Sequence, residues 1–156
     1  MNDNTTWIRA VLASAVAAGT AIWGWFGWLV LVWAACMALD FLTGSCAALY
    51  EHDWNSEKAR AGLAKKGGIM LAVLVAVLLD VFIGLVLRGT HIKLPWTYTI
   101  LFAPLVIAWY SVAELGSILE NAHRLGAPLP KWLKKALKIA KHAVDSAGDE
   151  LAGDKN

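Results

Sequence analysis

Three carboxylates lie inside apolar runs of the chain: Asp40 in CMALDFLTG, Asp80 in VLLDVFIG and Glu114 in SVAELGS. Ionisable groups at such positions face a bundle interior or water, because hydrocarbon solvates neither charge nor hydrogen-bonding groups. Three chemistries are open to them. They can hydrogen-bond between helices, they can form a proton or cation path, or they can line the wet interior of an oligomer. Glu120 and His123 form a Glu-x-x-His pair of the kind found in di-iron bundles, but such sites need a second pair and two further Glu residues that the sequence lacks. The four histidines are scattered, and there is no H-E-x-x-H, P-loop, G-x-S-x-G or dinucleotide fingerprint. The residues therefore argue against an enzyme, with no catalytic residue, no metal site and no cofactor expected.

The elements that must position these acids are apolar and long. Of 156 residues, 58% are hydrophobic and 17% charged, against roughly 45–50% and about 25% in soluble domains. Nine Trp and three Tyr suit a chain with bilayer interfaces. Lys and Arg are nearly absent before Lys58, then cluster at 58–66 and 131–141. No basic patch interleaved with aromatics points to nucleic acid. Cys36 and Cys46 read as small core residues rather than a disulfide.

Runs of about 18 apolar residues or more are candidate spans. The expectation is an all-α integral membrane protein with three spans, at about 26–49, 67–87 and 96–116, the last kinked at Pro104. From Val11 to Leu49 a single helix would be roughly 58 Å long, so it must break, and Trp23-Gly24-Trp25-Phe26-Gly27-Trp28 is the place. Residues 8–22 then form either a further span or a helix near the outer surface. Its rows Ala10/Ser14/Ala18 and Ala13/Ala17/Ala21 have the small-residue spacing that lets helices approach in lipid, a spacing an alanine-rich helix also shows by chance.

The basic residues of 51–66 and of the tail place both in the cytoplasm by the positive-inside rule. Residues 1–125 are thus expected as the membrane domain, and 126–156 as a cytoplasmic helix and polar tail. In that segment Trp132, Leu133, Ala136, Leu137, Ala140, Ala143 and Val144 share one face, while Lys131, Lys134, Lys135, Lys138, Lys141 and His142 share the other. Pro130 suits the first turn. Such a helix is expected on an anionic inner leaflet, with packing on a partner subunit as the alternative. Residues 145–156 are expected to fray. Lys65 and Lys66 are expected partners for Asp40 and Glu114. No fixed cation is evident for Asp80, about 20 Å from the inner face, which leaves burial between helices or exposure to an oligomer's lumen.

Three blocks resemble the phage-lysis and toxin-secretion holin family. They are ALDFLTGSCAAL (38–49), with a D-x-x-T-G-x-x-x-A pattern; SEKARAGLAKKGGIMLAVLVAVLLD (56–80); and AELGSILENAHRLGAPLPKWLKKAL (113–137), with E-x-x-S-I-x-E-N, then Leu-Gly and P-x-P. The resemblance implies a protein of the host bacterial cytoplasmic membrane that oligomerises and permeabilises it, releasing or activating an endolysin without direct contact, or aiding toxin export. Self, lipid and an antiholin are the partners it implies. Asp40, Thr43, Gly44, Asp80, Glu114, Ser117, Glu120 and Asn121 carry over as motif residues, and Gly126 and Pro130 follow the last span. Physically, Gly44 with Ala48 offers a close-approach face, and Glu120 and Asn121 are expected just past the span, fixing the turn into Gly126. A small proton or cation channel that uses the same acids is the rival reading.

Overall fold

A computed structural model describes residues 3–90 and 100–153. Among these described residues there are four helices: α1 (Asp3–Tyr50), α2 (Ser56–Thr90), α3 (Phe102–Arg124) and α4 (Lys131–Ala152). Three of them are long and apolar enough to cross a membrane, namely Gly24–Tyr50 of α1, Ser56–Thr90 and Phe102–Arg124. The chain is an all-α membrane protein.

The break expected in the first apolar run falls at Gly24, whose φ of 58° and ψ of −159° interrupt α1. Side-chain residues essentially never adopt this conformation. Gly24→Ala is therefore expected to destabilise the fold by about 1–3 kcal/mol or to straighten α1. Unfolding of the detergent-solubilised chain checks this, and an unchanged transition would mean that the bend is not held at Gly24. Of the alanine-rich rows before the kink, only the Ser14 side chain is described, and it is exposed. The others lie outside the described side chains, as does Trp96, the expected start of the third span.

Helix ends are set by local chemistry. Asn55 Oδ1 accepts the Glu57 N–H at 2.7 Å, capping α2. This cap starts α2 eleven residues before the expected span, so its charged first turns extend beyond the apolar part. At the end of α3, Gly126 (φ 89°) donates to the His123 carbonyl and Ala127 to that of Ala122, a Schellman closure. α3 therefore carries the polar residues 117–124 as helix, eight residues past the expected span end. Pro104 does not kink it. It is the third residue of α3, within the first turn, where a missing N–H breaks no helical bond. Pro130 flanks α4 at its N-cap rather than inside the first turn.

α3 is the central element: α1, α2 and α4 all pack on it, whereas α1 and α2 touch each other little. Trp33, Val73 and Ile107 form the core between the first three helices, with Phe26, Leu29, Met37, Ile69 and Tyr110 around them. Outside this thin seam, large apolar side chains face outward, including Leu71, Val75, Leu78, Phe82 and Leu85 along α2. Such an apolar surface suits hydrocarbon rather than water. Cys36 is buried and Cys46 exposed, so only the first is the core residue expected, and both are free thiols.

α4 departs most from expectation. Gly116 faces Leu137, whose Cδ2 is 3.5 Å from a Cβ built on the glycine, and Trp109 Nε1 donates to Asp145 Oδ1 at 2.7 Å. α4 thus runs antiparallel along α3, with Leu133, Leu137, Ala140 and Val144 half-buried. Helix continues through Ala152 and closes at Gly153 (φ 74°), so the expected fraying from Asp145 does not occur in 145–152. The apolar stripe meets α3 of its own chain, and Gly153 lies at the opposite end of the bundle from the 51–66 segment.

Candidate functional site

At the end of the bundle near the α1–α2 turn, α1, α2 and α3 each contribute a charge to one cluster. Lys66 Nζ lies 2.9 Å from Asp40 Oδ2 and 2.6 Å from Glu114 Oε2. The three side chains are 13%, 16% and 6% exposed, so one ammonium serves two carboxylates away from solvent. Lys65, the other cation expected here, is exposed. A helix repeat of 3.6 residues explains the choice, because Lys66 and Ile69 share the inward face of α2 while Lys65 points away.

Asn121 extends the cluster. Its Nδ2 donates to Asp40 Oδ1 at 3.1 Å and to Thr43 Oγ1 at 3.3 Å. Thr43 in turn donates to the Leu39 carbonyl at 2.8 Å. Asn121 fits because position 44 has no side chain: a Cβ there would sit 3.3 Å from Nδ2. Ala47, fully buried, continues the close approach of α1 and α3 one turn on. Ser117 and Asn121 line a cavity of about 280 Å³ with Asp40, Gly44, Lys58 and Lys66. At its rim, Arg124 Nη2 pairs with Glu51 Oε2 at 2.6 Å and Lys58 with Asp53 at 2.7 Å. The Arg124 guanidinium holds the Glu51 carboxyl below the usual carboxylate range, and Lys58 does the same for Asp53.

Asp80 forms a second, separate site. It is 2% exposed, and its oxygens accept the backbone N–H groups of Leu101 and Phe102 at 3.0 Å and of Ala103 at 2.7 Å. These are the orphan donors that open α3, which has no side-chain cap of its own. The carboxylate on α2 caps a neighbouring helix, where the macrodipole also favours negative charge. Of the two expectations for Asp80, burial between helices and exposure to an oligomer's lumen, this geometry is the first. Among the described residues it bonds a backbone helix end in the same chain, which composition does not reveal.

The expected motif residues divide accordingly. Asp40, Thr43, Gly44, Glu114, Ser117 and Asn121 converge, and Lys66 joins them as the central cation. Asn121 lies within α3 and reaches across to α1 rather than sitting beyond the span. Glu120 and His123 are exposed and outside the cluster. Gly126 closes α3. Lys131, Trp132, Lys134, Lys135, Lys138 and Lys141 all lie exposed on α4, so Trp132 does not share the half-buried stripe. Arg124, read in the sequence only as one of the tail's basic residues, ties α3 to the turn after α1.

A thin-cored helical bundle with three apolar spans and internally paired charges defines a multi-pass membrane protein. The chain belongs to the bacteriophage holin family, whose profile matches residues 17–142. That match covers the last turns before the kink and the first half of α4. It makes the chain a holin-like membrane protein of a non-enzymatic family. An uncharacterised protein of Halalkalibacterium halodurans is 35% identical over 135 residues, covering 86% of this chain and 92% of its own. An uncharacterised 14.9 kDa protein from the nagH 3′ region of Clostridium perfringens is 38% identical over 100 residues, 64% of this chain and 67% of that one. An uncharacterised Listeria monocytogenes protein is 31% identical over 128 residues, 82% and 81% of the two chains. No solved structure matches the chain.

Proposed function

We propose that the chain is a working holin. It accumulates in the bacterial cytoplasmic membrane, assembles with copies of itself and permeabilises that membrane, so that an endolysin reaches or is activated at the cell wall. Export of a toxin by the same opening belongs to the same reading. Family membership over residues 17–142 is the observation that carries it. The geometry is compatible with it, since α1, α2 and α3 are tied within one copy by Lys66 and by Asp80. Each copy can then enter an assembly as a preformed unit, with its apolar outer surface available to lipid and to other copies.

Induced expression in bacteria tests the reading. The expected result is abrupt growth arrest after a delay, hastened by an energy poison, and lysis when an endolysin is co-expressed. Steady loss of membrane potential without protein release would instead favour a narrow proton or cation path. Against that rival, the three acids it would use are already engaged within one copy, Asp40 and Glu114 by Lys66, Asp40 also by Asn121, and Asp80 by the α3 amides. Continued growth with an intact potential at high expression would overturn both.

A further inference from the structure

α4 follows α3 along the whole of a membrane span. The contacts Gly116–Leu137 and Trp109–Asp145 fix an antiparallel register in which Lys141 lies level with 112–114, the middle of α3. Further on, Ala147 and Leu151 line a groove of about 730 Å³ with Trp25, Leu29, Pro104 and Leu105. α3 is about 34 Å long and a hydrocarbon core about 30 Å thick, so α4 from Leu137 onward, level with the apolar residues 102–116, lies at membrane depth, while Lys131, Lys134 and Lys135 lie level with the polar end of α3.

The surface of α4 has three parts. Leu133, Leu137, Ala140 and Val144 face α3. Trp132, Ala136, Ile139 and Ala143 form a second apolar flank that remains exposed, Trp132 by 69% and Ile139 by 62%. The apolar arc is thus wider than one packing partner requires and suits contact with hydrocarbon as well. Opposite it, Lys131, Lys134, Lys138, Lys141, His142 and Asp149 are all exposed. At this depth a row of charges needs water, which a single chain does not enclose.

We propose that α4 lies in the bilayer beside α3 in the assembled protein, and that its lysine-bearing face lines the water-filled opening. This rests on the holin reading and assigns its wetted surface. Like-charged faces on successive copies repel one another, which favours an open, hydrated interior over a closed bundle. Of the acids of α4, Asp149 lies on this face towards the far end of the opening, whereas Asp145 is held by Trp109 and Glu150 lines the groove beside Trp25; the lysines lie towards the end near the Lys66 cluster.

The test uses the full chain in membranes of expressing cells after permeabilisation begins, with Cys36 and Cys46 replaced by Ala. The first measurement pairs Trp109→Cys with Asp145→Cys and seeks the intramolecular cross-link by mass spectrometry. A helix lying on the inner leaflet holds these positions too far apart to link. The second compares the labelling of Lys141→Cys and Ile139→Cys by a charged, water-soluble thiol reagent, which reacts with the thiolate. Lys141→Cys is expected to label about tenfold faster or more, since hydrocarbon suppresses the thiolate at Ile139→Cys. Absence of the cross-link overturns the proposal, and so do equal labelling rates with the cross-link present. Failure of the parent chain to permeabilise at all would instead overturn the holin reading itself.

Discussion

Lys66→Met is expected to destabilise the bundle by about 3–5 kcal/mol, because it leaves two buried carboxylates without their shared cation. Asp40 and Glu114 both touch the Lys66 ammonium, and neither side chain is more than 16% exposed. The cluster holds one acid more than it has cations, which makes its mutants unequal. Removing one acid, by Asp40→Asn or Glu114→Gln, leaves a one-to-one pair and should be much milder. Removing the lysine leaves like charges facing each other. The triple variant K66M/D40N/E114Q, with no charge left to bury, should recover most of the loss, since replacing a whole buried ion cluster is often neutral. Unfolding of the detergent-solubilised chain measures all four. The account fails if Lys66→Met is no worse than Asp40→Asn.

The contrast between Lys65 and Lys66 marks how far the sequence could be read. Charge and apolar run length are properties of segments, and they foretold three apolar spans and the pairing of Asp40 and Glu114 with the lysines at the start of α2. They did not distinguish two adjacent lysines, because that choice depends on which face of α2 turns to α3. Asn121 repeats the point. Its position after the apolar run suggested a turn residue, yet the Schellman closure at Gly126 keeps it helical and turns its amide onto Asp40 and Thr43. Gly44 was legible as a close-approach residue because small size is visible in a sequence. Its partner was not, since that depends on the register of α1 against α3.

α4 shows a different limit. Its amphipathic pattern was plain, and the pattern requires only that the apolar face meet something apolar. A leaflet, a partner subunit and the chain's own α3 all satisfy it. The small residue Gly116 opposite Leu137 and the bond from Trp109 to Asp145 favour α3, and both are pairings between residues far apart in the chain. The same wide apolar arc that made a surface helix plausible leaves a second flank for lipid once α3 is engaged.

Asp80→Leu is expected to remove about 3–6 kcal/mol, because it deletes a charged acceptor and leaves three backbone N–H groups unbonded in an apolar setting. Leu101, Phe102 and Ala103 present these donors to the carboxylate at 2.7–3.0 Å, with Asp80 2% exposed. Asp80→Asn keeps a carbonyl oxygen as acceptor but loses the second one and the charge facing the helix end. Its expected loss is smaller, about 1–3 kcal/mol. The place where the defect appears decides what the acid does. A cap internal to one chain fails in the dispersed protein, so Asp80→Leu should unfold early as a monomer in dilute detergent, before any assembly. An acid that served a lumen between copies would leave the monomer as stable as the parent and impair only assembly. The unfolding transition of dilute monomer, followed beside the assembly of the same variant in membranes, separates the two. A normal transition with failed assembly would move Asp80 from the opening of α3 to the interface between copies.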